Sequence, residues 1–325
     1  MYPFTFTKAG TESDALAAGA RGGRYIAGGT TLIDLMRETV ERPGEVVDIT
    51  ALPYREIDAG PSVLRIGALV RMAELAAHRS VVTRFPVVSQ ALTLSASAQL
   101  RNMATIGGNI MQRPRCLYFR DVTAACNRRE PGAGCAAIGG ENRGHAVLGT
   151  SAECVATHPS DLAVALVALD ATVLLRSPRG ERRIPVSRFI RLPGDTPEQE
   201  HDLLPGELIT GVDVPVGAYT ARSGYLKVRD RQSYEFALAS AAVALDIRSG
   251  IIREARVAVG GVATVPWRLR AVERALVGRA PGARLWAEAS ALAADGAKPL
   301  SGNEFKVELV KRTVARQLQA VGGGS

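Results

Sequence analysis

Four cysteines, Cys116, Cys126, Cys135 and Cys154, crowd into thirty-nine residues of a 325-residue chain that contains no others. Gaps of nine, eight and eighteen residues separate them. From Arg113 to Ser151 the alternation of strand and helix patterns stops, and arginine, glycine and proline take over. A connection this long inside a compact domain needs something to organise it. Four thiols in one loop admit three readings. Two disulfides suit an oxidising compartment and a small domain short of core, whereas this chain is long enough for two or three packed subdomains. Structural zinc usually sits on knuckles with about two to four residues between cysteines, and no gap here is that short. An iron–sulfur cluster requires four thiolates but no knuckle, because a long loop wraps the bulkier cluster from several sides. Spacing leaves all three open. Arg113, Arg115, Arg128, Arg129 and Arg143 stand in the same stretch, either offsetting thiolate charge or serving as plain surface arginines. His145 and His158 read as structural, with His158-Pro159 shaping the turn into the next helix.

Two glycine turns stand outside the cysteines. Arg24 to Ala27 reads as a strand that runs into Gly28-Gly29-Thr30-Thr31 and on into the helical pattern Leu32 to Arg37. A strand, a glycine turn and a helix start leave several backbone N–H groups unpaired at the positive end of the helix dipole, which is a natural diphosphate cradle. A glycine pair is by itself more often a simple turn. Thr105-Ile106-Gly107-Gly108-Asn109 repeats the arrangement on a separate unit, after the small-residue run Ser95 to Ala104, whose plain reading is close helix packing. Two such turns suit the two ends of one long cofactor. Gly132-Ala133-Gly134-Cys135-Ala136-Ala137 matches the dinucleotide pattern G-x-G-x-x-A, but no strand leads into it and Pro131 precedes it, so the match reads as chance. Gly260-Gly261 reads as a strand-end turn.

The remaining pattern is mixed. Residues 3 to 7 alternate like a strand, and Thr11 to Asp14 offers a capping box for a helix to about Gly19. Strands are expected at 45–49, 63–67, 171–175 and 255–262, and helices at 72–77, 87–94, 161–169, 270–277 and 307–319; 237–245 reads as helix or strand. Residues 177–220 are polar and turn-rich. The expected division is 1–220, with an internal boundary near 55 and the cysteine loop at 113–155, then 221–321, then a flexible tail at 322–325. The net charge of +8 comes mainly from scattered arginines, a solvated surface or one that docks on an acidic partner. Aromatics at 5% and the lack of a basic stripe exclude nucleic-acid binding. No apolar run approaches the ~20 residues of a membrane span, and no export leader is visible. The expectation is a cytoplasmic chain, or a periplasmic one co-exported with a signal-bearing partner.

These residues resemble a known family, the FAD-binding subunits of the molybdenum hydroxylases, the xanthine dehydrogenase and aldehyde oxidoreductase group. Ile26-Ala27-Gly28-Gly29-Thr30-Thr31-Leu32-Ile33-Asp34 resembles the family's first flavin loop and Ala104 to Asn109 its second. Ser160-Asp161-Leu162, followed by Ala168 to Val173, resembles the segment whose acidic residue faces the flavin. Lys227-Val228-Arg229-Asp230-Arg231 resembles the start of the C-terminal domain, where a lysine approaches the flavin ring. The resemblance covers nearly the whole chain in motif order. It implies an α+β fold: a two-part FAD-binding domain, PCMH or vanillyl-alcohol-oxidase-like, followed by a smaller α+β domain. The four-cysteine insertion departs from the plain xanthine dehydrogenase pattern. It is similar to those of the flavoprotein subunit of 4-hydroxybenzoyl-CoA reductase and, more closely at Cys116-Leu-Tyr-Phe and Cys126-Asn-Arg-Arg, of bacterial aldehyde oxidoreductase FAD subunits. In those relatives it holds a [4Fe-4S] cluster.

What the resemblance implies is an electron-transfer flavoprotein with no catalytic residues of its own for substrate. A molybdenum-cofactor subunit oxidises the substrate, a [2Fe-2S] subunit relays electrons, and FAD here passes them to an external acceptor. Gly28 to Thr31 would hold the pyrophosphate, Thr105, Gly108 and Asn109 would line the cofactor, and Asp161 and Lys227 would set the field at the ring. Cys116, Cys126, Cys135 and Cys154 would ligate the cluster. Three other readings stand beside it: a 4-hydroxybenzoyl-CoA reductase-like subunit, a stand-alone FAD oxidase, and a zinc-braced scaffold protein.

Overall fold

The computed structural model describes residues 1–323. Near the N-terminus, β1 (Thr5–Lys8), β2 (Arg24–Ile26) and β3 (Glu45–Asp48) form a parallel sheet in the order β1-β3-β2. Parallel pairing follows from the connections, since the helix Glu12–Ala20 and the helix Leu32–Arg37 return the chain to the same end each time. Thr11 caps the first of these in a full capping box with Asp14.

A five-stranded antiparallel sheet follows, built from β4 (Ile57–Ala59), β5 (Val63–Gly67), β6 (Thr172–Ser177), β7 (Gly180–Pro185) and β8 (Leu208–Pro215) in the order β4-β5-β8-β6-β7. The helices Met72–Ala77, Pro86–Leu94 and Asp161–Ala168 share its core, with Leu64, Ile66, Leu75, Leu92, Leu166 and Val212 fully buried. The last sheet, β9 (Ser223–Val228), β10 (Ala239–Arg248), β11 (Ile251–Gly260) and β12 (Trp267–Arg268), is antiparallel in the order β12-β11-β10-β9. Strand β10 is buried on both faces: Ala242 and Ala244 pack into the core of the first domain, while Ala241, Val243 and Leu245 pack under the C-terminal helices. Small residues on one face let the two layers approach, and this double burial is why 237–245 carries no clean period in the sequence.

Several elements depart from the sequence reading. The run Ser95 to Ala104 contains a helix, Ala98–Met103, capped by Ser97. Residues 57–59, between the expected strands at 45–49 and 63–67, form the short strand β4, and the turn-rich 177–220 segment, where short strands divided by prolines are expected, holds β7 and β8, the latter the central strand of its sheet. Ala283–Ser290 is a further helix. The last helix, Phe305–Gly322, extends into the expected tail, and the Trp286 indole donates to the Gly323 carbonyl at 3.2 Å; Gly324 and Ser325 lie outside the described residues. Among the described residues no helix is long and apolar enough to cross a membrane.

Candidate functional site

The first glycine turn packs on the backbone just before the second. A Cβ on Gly28 would lie 2.1 Å from the Met103 carbonyl oxygen, so only glycine permits this contact, and Gly29 sits at φ +70°. The helix ladder begins at Ile33 N–H to Gly29 O and Leu35 N–H to Thr31 O, each 3.0 Å. The N–H groups of Gly28, Gly29, Thr30, Thr31 and Leu32 therefore meet no backbone acceptor among the described residues. They face a cavity of about 170 Å³ lined by Ile26 to Leu32 together with Thr105 and Gly108. A second cavity of about 230 Å³ shares Thr30, Thr31, Ala104 and Gly108 with it and runs on to Asn109, Asp161 and Lys227. The two make one trough past both glycine turns. Free donors for a diphosphate midway, an apolar stretch on one side and a charged pair at the far end fit a flavin dinucleotide.

At that far end Asp161 opens the helix Asp161–Ala168, whose N-cap Ser160 accepts from Ala163 N–H. Its carboxylate accepts from Lys227 Nζ and the Tyr225 hydroxyl, each at 2.7 Å, and lies 3.1 Å from Ser95 Oγ, whose single proton is shared with the Ala91 carbonyl at 2.7 Å. The side chains of Lys227 and Asp161 are 1% and 6% exposed. Burial, and then the neighbouring Asp161, push the Tyr225 hydroxyl well above its ordinary range, so it stays a neutral donor. Two expected field-setting charges are thus one buried ion pair, whose field is that of a dipole.

The first flavin loop divides at its end. Ile26, Ala27, Gly28, Gly29, Thr30, Thr31 and Leu32 line the trough. Ile33 is exposed, and Asp34 turns to Arg115 at 3.0 Å and to Arg120, tying this helix to the cysteine loop. Thr105 caps the helix Ile106–Ile110 through Gly108 N–H, and the Asn109 amide accepts from Ser160 Oγ at 2.6 Å and donates to Met72 Sδ. Both line the trough with part of their polar capacity already used. Ser95 and Tyr225 escaped the sequence reading, although Tyr225 stands two residues before Lys227 on the same strand face, a period-two signal.

All four cysteines are free and line one small cavity, with Cys126 and Cys135 facing each other across an antiparallel bridge. Among the described residues no three His, Cys, Asp or Glu side chains are grouped to hold a metal ion. Burial pushes the Cys116 thiol up to about 11, and its sulfur lies 3.2 Å from His145 Nε2. Of the five nearby arginines only Arg128 reaches a sulfur, Cys154 Sγ at 3.4 Å. Arg115 pairs with Asp34, Arg143 with Asp230, and Arg129 donates to the carbonyls of Tyr118, Phe119 and Ala124.

Arg128 also ends a chain of buried and half-buried charges that no sequence pattern revealed. Glu41 and Arg113, which line the trough, pair at 2.7 Å; Arg113 meets Glu200 at 2.6 Å; Glu200 meets Arg128 at 3.3 Å. Burial raises the Glu200 carboxyl, but Arg128 and Arg113 outweigh it and hold the group below the usual carboxylate range. Glu200 lies within the polar, turn-rich 177–220 segment.

Comparison with known proteins follows the same plan. Residues 2–217 match the FAD binding domain in molybdopterin dehydrogenase, and residues 224–321 match the CO dehydrogenase flavoprotein C-terminal domain. The chain is 46% identical to the aldehyde oxidoreductase FAD-binding subunit PaoB of Escherichia coli strain K12, covering 98% of each. It is 28% identical to the glyceraldehyde dehydrogenase medium chain of Sulfolobus acidocaldarius, covering 86% of this chain and 83% of that one. In fold it is similar to a Cu,Mo-CO dehydrogenase chain solved in a cyanide-inactivated form, with a TM-score of 0.77, 22% identity and 99% of each chain covered.

Proposed function

The chain belongs to the FAD-binding subunits of the molybdenum hydroxylases, and from that premise we propose that FAD lies along the trough with its diphosphate at Gly28 to Leu32 and its ring beside Asp161 and Lys227. The free N–H groups of the first glycine turn carry this reading. Thr105, Gly108 and Asn109 flank the cofactor, and Ile33 and Asp34 shape the loop from behind. When bound, the flavin accepts and releases electrons one or two at a time. The protein's own part is to hold it, exclude water from the ring and fix the field through the Lys227–Asp161 pair.

We assign residues 1–220 to the FAD-binding domain, with an internal boundary near 55, and 221–321 to the C-terminal domain. The substrate class we assign is an aldehyde, oxidised on a molybdenum-cofactor partner; electrons pass through a [2Fe-2S] partner to FAD and then to an external acceptor. The 46% identity to the E. coli aldehyde oxidoreductase subunit supports this class. We also assign a [4Fe-4S] cluster to Cys116, Cys126, Cys135 and Cys154. That all four free thiols line one small cavity, with the Arg128 guanidinium 3.4 Å from one sulfur, supports it.

Anaerobic aldehyde added to the purified multisubunit complex should bleach the flavin bands; bleaching by purines but not aldehydes would refute the substrate class. Metal analysis should return about four irons per FAD subunit beyond the partner's. Cys126→Ser should lose that iron first and flavin only secondarily. A zinc-containing chain, or four thiols open to alkylation in the native protein, would refute the cluster.

A further inference from the structure

The hairpin between the second and third cysteines is held in register by its own backbone bonds. Cys126 and Cys135 stand opposite each other in an antiparallel bridge. The bonds that flank them run from Asn127 N–H to the Gly134 carbonyl at 2.7 Å and from Ala136 N–H to the Ala125 carbonyl at 3.1 Å. The two cysteines exchange no backbone bond themselves, so they are the close kind of antiparallel pair, in which Cα atoms lie about 4.5 Å apart and side chains leave the same face. Between them the chain turns back tightly. Arg129 and Glu130 N–H reach the Cys126 carbonyl at 3.0 and 2.9 Å, and the Asn127 side chain accepts from Gly134 N–H at 2.7 Å. Gly132 and Gly134, at φ +87° and +95°, supply the left-handed positions. The glycines of the chance dinucleotide match thus have a role in this turn.

The other two cysteines sit differently. Cys116 Sγ lies 3.2 Å from His145 Nε2, at the start of the helix Leu117–Arg120. Cys154 Sγ lies 3.4 Å from the Arg128 guanidinium and 3.5 Å from Ala156 N–H, in a turn closed by the Ser151 hydroxyl. Among the described residues neither stands opposite another cysteine on a backbone ladder. A disulfide needs Cα atoms about 4.4–6.8 Å apart and converging Cβ atoms, which a directly opposed close pair supplies. Cys135 is half-buried and Cys126 buried, so within this pair a small reagent reaches Cys135 first.

We propose that Cys126 and Cys135 are a redox modification site: in the cluster-free chain they close as a reversible disulfide with a small-molecule disulfide such as oxidised glutathione, while Cys116 and Cys154 stay thiols. The Cys135 thiolate attacks one glutathione sulfur, the glutathione S–S bond breaks, and one glutathione thiol leaves. The Cys126 thiolate then attacks the Cys135 sulfur of the mixed disulfide and the second glutathione thiol leaves. Two electrons pass from the cysteine pair to glutathione, and the two cysteine protons end on the two glutathione thiols. With two of its four thiols joined, the loop takes up no cluster until a thiol reductant reopens the pair. The bond adds a cross-link to a hairpin already in register, so Arg128, which lies inside it, keeps its contact with Glu200. The inference rests on the cluster assignment only for the state it describes.

The test uses the complete complex. Its iron is counted, then stripped anaerobically with a chelator and dithiothreitol; after desalting, the complex is exposed to oxidised glutathione, unfolded and labelled with iodoacetamide. Trypsin cleaves after Arg128 and Arg129 and so separates the Cys126 peptide from the Cys135 peptide. Mass spectrometry should find these two linked and Cys116 and Cys154 labelled; dithiothreitol before labelling should raise the count from two labelled cysteines to all four. Cys154→Ser should close the same pair and leave Cys116 labelled. Cys135→Ser should leave Cys126 without a disulfide to another cysteine. Four labelled cysteines without reductant, any other pairing, or a Cys126 disulfide to Cys116 or Cys154 in the Cys135→Ser variant would overturn the assignment. Failure of the cluster reading looks different: the first iron count would lack the roughly four irons of this chain, while the pairing would still be read afterwards.

Discussion

Glu200→Gln is the substitution with the largest expected effect outside the cofactor trough. The Glu200 carboxylate, 9% exposed, sits between the Arg113 and Arg128 side chains, 18% and 6% exposed. Removing its charge leaves Arg113 with Glu41, while Arg128 keeps only the Cys154 sulfur. Breaking a buried pair from one side costs about 3–5 kcal/mol, because the charge left behind stays desolvated. An amide still accepts one hydrogen bond, which places the expected loss near the lower figure, about 3 kcal/mol, or on the order of 5 °C in Tm for a chain of this size. Because Glu41 and Arg113 line the trough, FAD should dissociate about tenfold more readily, within the usual 1–3 kcal/mol range of coupling between sites. Arg128 touches a cysteine, so the iron content should fall in the same variant. Thermal melts, equilibrium dialysis of FAD and iron analysis measure the three effects. A Tm shift under 1 °C with FAD affinity within twofold of the parent would refute the coupling. The pH dependence has a fixed sign. Glu200 is depressed in the folded state, so its stabilisation is complete above the ordinary carboxylate value of 4.5 and is lost as pH falls through the lower folded value.

Gly28→Ala should weaken FAD binding by on the order of tenfold or more, since its Cβ would meet the Met103 carbonyl, whereas Gly44→Ala, with nothing within 4 Å, should leave binding unchanged; equal losses in both would rule out the close-approach argument. Lys227→Met leaves the Asp161 charge unbalanced beside the ring and should lower the flavin midpoint potential, while Asp161→Asn should raise it; spectroelectrochemistry reads both signs, and shifts in the same direction would count against the pair's role. His158 and His201 are held neutral to about 3 and about 4, chiefly by burial. Stability from both is complete above the ordinary histidine value of 6.5 and declines as pH falls toward those folded values, so Tm should drop between pH 6.5 and 5; a flat Tm there would contradict their burial. Lys306, lowered to about 7 by burial with its amine on the Gly144 and Gly261 carbonyls, should make stability rise from pH 7 toward 10; Lys306→Met should abolish that slope.

What was legible in the sequence was local. The Gly28–Thr31 turn and the capping box at Thr11 are written in adjacent residues, because a turn or a cap is made by its own neighbours. The Lys227–Asp161 pair spans sixty-six positions, and its members came from family resemblance rather than from pattern. Its other partners, Ser95 and Tyr225, arrive from a helix end and a strand that meet only when the domains pack. The Glu41–Arg113–Glu200–Arg128 chain was least legible. Charged residues in turn-rich segments look solvated until tertiary packing encloses them, and neither periodicity nor composition carries that information. Strand β8 lies in a segment where short strands between prolines are expected, but its place at the centre of a sheet is a tertiary fact that no local pattern carries.

The cysteine loop and the flavin trough are joined at their hinge. The loop leaves the domain after the helix Ile106–Ile110 and returns at Ser160, and the Ser160 hydroxyl donates to the Asn109 side chain across fifty-one positions at 2.6 Å. Ser160 also caps the helix that presents Asp161, and Asn109 lines the trough. The two ends of the insertion are therefore pinned by residues that the flavin site needs in place anyway. A long excursion between pinned ends costs little extra closure entropy as it lengthens, about 0.6 kcal/mol per doubling. That is why a fold built to hold one cofactor can carry an added four-thiol loop without disturbing the trough. Three of the loop's ion pairs, Arg115 and Arg120 on Asp34 and Arg113 on Glu41, land on the helix behind the first glycine turn or the residues that follow it, while Arg113 and Arg128 on Glu200 and Arg143 on Asp230 tie the loop to other segments. The loop is thus braced against the dinucleotide end of the trough through Asp34 and Glu41, and at the other end Arg115 lines the trough beside Asp161.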